Sequence, residues 1–160
     1  MVADQSEQLA SEIEKQNAEL AHFFAGCTDA DLRRPCADPS GATVAAVLGH
    51  LSEGYDLVLG WLARTTGSQV AVPAGGEADD LHAYAERLAA GGRAWATLTS
   101  GLDDAQLGTV PPATPDITDG TKPLGSIISH MIEHQSIHLN YVKDAVTGVT
   151  GVTGASGRTA

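Results

Sequence analysis

Glycine, proline and threonine divide this chain into four long stretches, and in each the apolar residues return at helical spacing. The first is "DQSEQLASEIEKQNAELAHFFAGC", with Leu9, Ile13, Leu20, Phe23 and Phe24 in step and Gly26 as its stop. The second is "TVAAVLGHLSEGYDLVLGWLARTTG", with Thr43 suited to its N-cap and Gly67 to its end. The third, "ADDLHAYAERLAAGGRAWATLTSGL", carries Gly91 and Gly92 as an expected weak point. The fourth, "KPLGSIISHMIEHQSIHLNYVKDAVTG", begins with Pro123 in a position that favours a first turn. No strand-like alternation of useful length competes with these periods. The chain therefore reads as an all-α protein, a four-helix bundle over residues 1–148.

The connections differ in character. "TDADLRRP" suggests a short turn capped by Thr28, with acids behind it, and ended by Pro35. "ADPSGA" and "SQVAVPAGGE" are loop chemistry. The segment from Asp103 to Thr121 is rich in Pro, Gly, Asp and Thr and is expected to be irregular; a loop that long is often functional. Residues 149–160, a repeat of Val-Thr-Gly followed by small residues, are expected to form a disordered tail.

A length of 160 residues suits one domain with a real core. With 20 acidic against 9 basic residues the formal charge is −11, which argues against nucleic acid and against an anionic membrane surface. No apolar run reaches the ~18–20 residues of a transmembrane helix, and the polar, acidic start is unlike a secretory signal, so a cytoplasmic location is expected. Cys27 and Cys36 do not form CxxC and have no basic pattern around them; they read as free, partly buried thiols.

Three of the six histidines, His130, His134 and His138, lie four residues apart on the fourth helix. At 100° per residue His134 falls about 40° and His138 about 80° from His130, while the apolar face centres near 130°. The column thus climbs towards the core, with His138 innermost. Two imidazoles at i, i+4 can reach one cation. Both adjacent pairs have that spacing, and the inward position of His138 favours His134 with His138. His50, on the second helix, also lies at the edge of an apolar face, which runs through Val44, Val47, Leu51, Tyr55 and Val58. Taken alone, His50 is an ordinary half-buried histidine. Joined to the other two across a bundle it completes three neutral nitrogens with an open position, a catalytic and not a closed structural arrangement for zinc. His22 and His82 read as structural or surface residues, and His130 as a rim group.

The succession "DLRRP", "GATVAAVLGHL" and "LGSIISHMIEHQSIHLNYV" resembles the DinB superfamily, the DinB/YfiT-like metalloenzymes, over about residues 6–146. "GATV" lacks the family's aromatic, and "HLNYV" stands where "HRGQI" is usual. The resemblance implies a four-helix bundle, commonly a homodimer, that binds zinc or nickel through His50, His134 and His138. Several relatives use bacillithiol, mycothiol or glutathione as a thiol cosubstrate. The related N-terminal domains of mycothiol-dependent maleylpyruvate isomerases carry Glu at the first HxxxH position. His134 puts this chain nearer the plain DinB branch.

Three functions follow as expectations: a metal-dependent thiol S-transferase acting on a small-molecule electrophile, a metal-dependent hydrolase, and a non-catalytic metal or small-ligand module. The first two need a proton-transfer group. Tyr141 lies at about 20°, on the histidine side of its helix, and Glu53 is one turn beyond His50. Glu133 lies on the solvated side. Gln135 lies near 140°, within the apolar face, where an unpaired amide costs about 1–3 kcal/mol, so a partner across the core or an interface is expected. Leu57, Leu59 and Trp61 widen the apolar stripe of the second helix and suggest self-association.

Overall fold

A computed structural model describes residues 4–71 and 75–148. The tail expected over 149–160 lies outside the described residues. The four stretches become α1 (Gln5–Ala25), α2 (Val44–Thr66), α3 (Leu81–Ser100) and α5 (Leu124–Thr147). A five-residue helix, α4 (Asp104–Gly108), precedes the last. Among the described residues there are isolated bridges, Pro35 with Thr43 and Thr114 with Thr118, and no sheet. No described helix is long and apolar enough to cross a membrane.

The helix ends follow local chemistry. Thr43 Oγ1 accepts from the Ala46 amide at 3.2 Å, and Gly67 closes α2 in the left-handed region at φ 69°. Asp80 caps α3 by accepting from Ala83 N at 2.8 Å. Pro123 stands one residue ahead of α5, its carbonyl accepting from Ser126 and Ile127. The turn after α1 is a 3-10 helix, Asp29–Arg33. Asp31 organises it, accepting from Thr28 N at 2.8 Å and Arg34 Nε at 2.6 Å.

α1 and α2 each pack against both α3 and α5, so these consecutive helices stand diagonally in the bundle. One continuous core joins them, centred on Leu48, Leu59, Leu62, Leu88, Trp95 and Ile128. Leu59 and Trp61 are buried in it, which leaves Leu57, at 51% exposure, as the open member of the widened stripe.

Two expectations are corrected here. The Gly91–Gly92 pair does not interrupt α3, which runs unbroken from Leu81 to Ser100. A Cβ at Gly91 would stand 2.7 Å from the Tyr55 ring of α2, and one at Gly92 would stand 2.8 Å from Asn17 Cγ of α1. The pair lets α3 approach neighbours on both sides, and that packing outweighs the glycine propensity cost. The segment from Asp103 to Thr121 is not irregular throughout. Asp103 and Gln106 form a reciprocal capping box, at 2.8 and 3.0 Å, that starts α4.

Candidate metal centre

The inward climb of the histidine column appears in the burial. His138 is buried, whereas His134 and His130 are exposed. α2 brings His50 alongside: the His50 and His138 rings are 5.0 Å apart and the His134 and His138 rings 4.5 Å. One nitrogen from each of His50, His134 and His138 lies within 4.8 Å of the others. His130 is outside this set, its ring 6.4 Å from that of His134.

The donor chemistry fits a divalent ion. His138 Nε2 is 2.9 Å from His134 Nε2, near the ~3.3 Å between ligands of a tetrahedral set with bonds of about 2.0–2.1 Å. Behind it, His138 Nδ1 donates to Asp38 Oδ2 at 2.6 Å. This bond fixes the tautomer that leaves the Nε2 lone pair facing the other two rings. Burial pushes the His134 imidazole's pKa below its ordinary value, and His138, His130 and His50 add to that, so the ring is held neutral for ligation.

Asp38 was not read from the sequence. Burial pushes its carboxyl up, but the Ser40 hydroxyl and amide, with His138, outweigh burial and hold it below the usual carboxylate range. Ser40 N and Oγ both donate to Asp38 Oδ1, at 2.7 and 2.6 Å. The loop is pinned at its base by Cys36 N to Ala42 O and Val44 N to Arg34 O, each at 3.0 Å. It lies so close to α2 that a Cβ on Gly41 would come within 2.7 Å of Ala46 Cβ. The Asp-Pro-Ser turn was a visible signal. Its partner 100 residues away was not.

A cavity of about 300 Å³ opens beside the three histidines. Tyr55, Trp95, Met131 and Gln135 line it, and the loop after α4 contributes Asp116 and Ile117. The loop therefore does reach the site, with Asp116 in the left-handed region at φ 65°. Gln135 is buried as expected and donates to Tyr55 Oη across the core. Burial pushes the Tyr55 phenol up to about 12, so it stays neutral. His130 lines the cavity mouth. Glu53, exposed, and Tyr141, half-buried, are not among the lining residues. Glu133 and His22 are exposed, and exposed His82 pairs with Glu86 at 3.2 Å. Cys27 and Cys36 are free and half-buried; burial raises both thiols, so neither is an activated nucleophile.

A family model described as the DinB superfamily matches residues 12–142. The chain matches no curated protein and no solved structure.

Proposed function

The chain belongs to the DinB superfamily, and from that premise we propose that His50, His134 and His138 hold one divalent ion, zinc or nickel, in a thiol S-transferase. The observation that carries the reading is the convergence of three imidazole nitrogens from two helices within 4.8 Å beside a cavity. When bound, a divalent ion with neutral nitrogen ligands and an open position lowers the pKa of a coordinated thiol. The chain's own part is positional. Asp38 holds the His138 ring, and the cavity beside the three histidines gives the space where an electrophile would sit. Mycothiol or a similar low-molecular-weight thiol is the cosubstrate in this reading. Glu53 and Tyr141 lie outside the cavity lining but keep the proton-transfer role in this reading, and a tenfold fall in kcat in Glu53→Gln or Tyr141→Phe is the result that supports it. A homodimer is part of the same proposal, with Leu57 and Ile137, at 51% and 55% exposure, as the apolar residues it would cover.

The test is a titration of cobalt-substituted protein with mycothiol, bacillithiol and glutathione. A sulfur-to-metal charge-transfer band that vanishes in His138→Ala supports the proposal. Hydrolysis is the second reading, favoured by the solvent exposure of His50 and His134. Absence of the band with every thiol, together with hydrolytic turnover without thiol, moves the assignment to a hydrolase. Metal binding with neither activity leaves a binding module.

A further inference from the structure

Asp38 divides its two carboxylate oxygens between different partners. Oδ2 accepts from His138 Nδ1 at 2.6 Å, while Oδ1 accepts from the Ser40 amide at 2.7 Å and from the Ser40 hydroxyl at 2.6 Å. The Asp38 side chain has no exposed surface, so bulk water does not share these bonds. A buried carboxylate depends on the donors that fold around it, and the loss of one is not made good by solvent. Ser40 therefore does more than fill an oxygen. Two donors on Oδ1 stop the carboxylate from turning about its Cβ–Cγ bond, and a carboxylate that cannot turn keeps Oδ2 on His138.

The hydroxyl has one proton to give and two neighbours to choose between. Its oxygen lies 2.6 Å from Asp38 Oδ1 and 3.5 Å from His138 Nδ1, so the proton goes to the carboxylate. The lone pairs of Oγ then sit on the His138 side, where they do not compete with the imidazole for its acceptor. Pro39 stands between Asp38 and Ser40 and narrows the backbone freedom of both itself and Asp38. On the far side of the ring, His138 Nε2 is left 2.9 Å from His134 Nε2.

We infer that Ser40 is a positioning residue of the metal centre: its hydroxyl locks the Asp38 carboxylate, and the locked carboxylate holds the His138 ring with Nε2 turned to the other two histidines. The inference rests on reading His50, His134 and His138 as metal ligands, and it places a determinant of their affinity outside the ligand set.

The test uses the full chain as Ser40→Ala, which removes the hydroxyl and keeps the amide, and as Ser40→Thr, which keeps both donors. Thr43→Ala is the structural control, since it removes the α2 cap three residues further along the same loop. In zinc-free protein the His138 Nδ1 proton is followed by nuclear magnetic resonance of nitrogen-15-labelled rings, with His138→Ala identifying the signal. That proton should exchange with solvent slowly in the parent and in Ser40→Thr, and several-fold faster in Ser40→Ala. Zinc affinity, read by competition with a chromophoric chelator, should fall about three- to tenfold in Ser40→Ala, less than the 10–100-fold typical when the contacting carboxylate itself is removed. In Ser40→Thr and Thr43→Ala it should stay within twofold of the parent, although Thr43→Ala melts at a lower temperature.

Parent-like affinity and exchange in Ser40→Ala overturn the proposal. So do losses in Ser40→Thr as large as those in Ser40→Ala, or the same losses in Thr43→Ala, which would reduce Ser40 to a part of loop stability. Should Ser40→Ala not fold, Ser40→Gly takes its place, and a parent protein with no slowly exchanging His138 Nδ1 proton overturns the proposal without any variant. Failure of the metal reading would appear separately, as an absence of zinc uptake by the parent, and the zinc-free exchange rates would still decide whether Ser40 governs the His138 ring.

Discussion

Asp38 makes the strongest single-residue demand in this fold: a carboxylate without side-chain exposure, committed to one histidine nitrogen. Carboxylates that orient a ligating imidazole typically carry a 10–100-fold share of metal affinity. Asp38→Asn is therefore expected to weaken zinc binding by about that factor while leaving helical content unchanged, as read by competition with a chromophoric chelator and by circular dichroism. Undiminished affinity would remove the orienting role. Asp31 is the contrasting case, a purely structural carboxylate. The Thr28 amide and then Arg34 hold its pKa below the ordinary value. A lowered folded pKa means that its stabilisation is complete above the unfolded value of about 3.9 and is lost as pH falls through the folded value. Asp31→Asn should cost about 1 kcal/mol at pH 7, and the melting curves of variant and parent should draw together from the unfolded value downwards and coincide below the folded one. A gap that does not narrow in acid would contradict the charge argument.

At the scale of elements, the glycines carry the predictions. Gly91→Ala sets a methyl group against the buried Tyr55 ring, and such overpacking costs about 1–3 kcal/mol, beyond the ~1 kcal/mol that alanine returns in helix propensity. Gly92→Ala meets the end of the Asn17 side chain, which is half-buried and not a packed ring. The melting temperature should fall further for the first variant; the reverse order would refute this account of α3. Gly41→Ala should displace the Asp38 loop from α2 and lower zinc affinity in the same direction as Asp38→Asn, measured by the same competition. These positions also show what a linear reading can reach. The four long helices, the His134–His138 pair and the buried Gln135 were legible because each is set by periodicity along one helix, while His50, on another helix, joined the pair through the family resemblance. α4 announces itself as Asp-x-x-Gln, but five residues are too few to carry a period. Gly91 and Gly92 misled because their value lies in the neighbours they admit. Asp38 showed locally only as an Asp-Pro-Ser turn, since its role appears only against α5.

For the whole molecule, the candidate metal centre would join α2 to α5, elements with no sequence contiguity. Binding to the folded state alone stabilises by mass action, about 2.7 kcal/mol at a free ion concentration 100-fold above Kd. Zinc should therefore raise the melting temperature of the parent protein, chelation should reverse the rise, and His138→Ala should show neither effect in a thermal scan. An identical zinc response in that variant would place the ion elsewhere. The span from Asp38 to His138 also bears on how the protein is made. While a ribosome is still building the chain, His50 emerges early and must wait for more than half of α5 before both partners exist. At ~5–20 residues per second that interval lasts several seconds. Metal capture through all three histidines therefore belongs after synthesis of the helical domain, and a nascent chain stopped before His134 should leave the ribosome exit without bound metal.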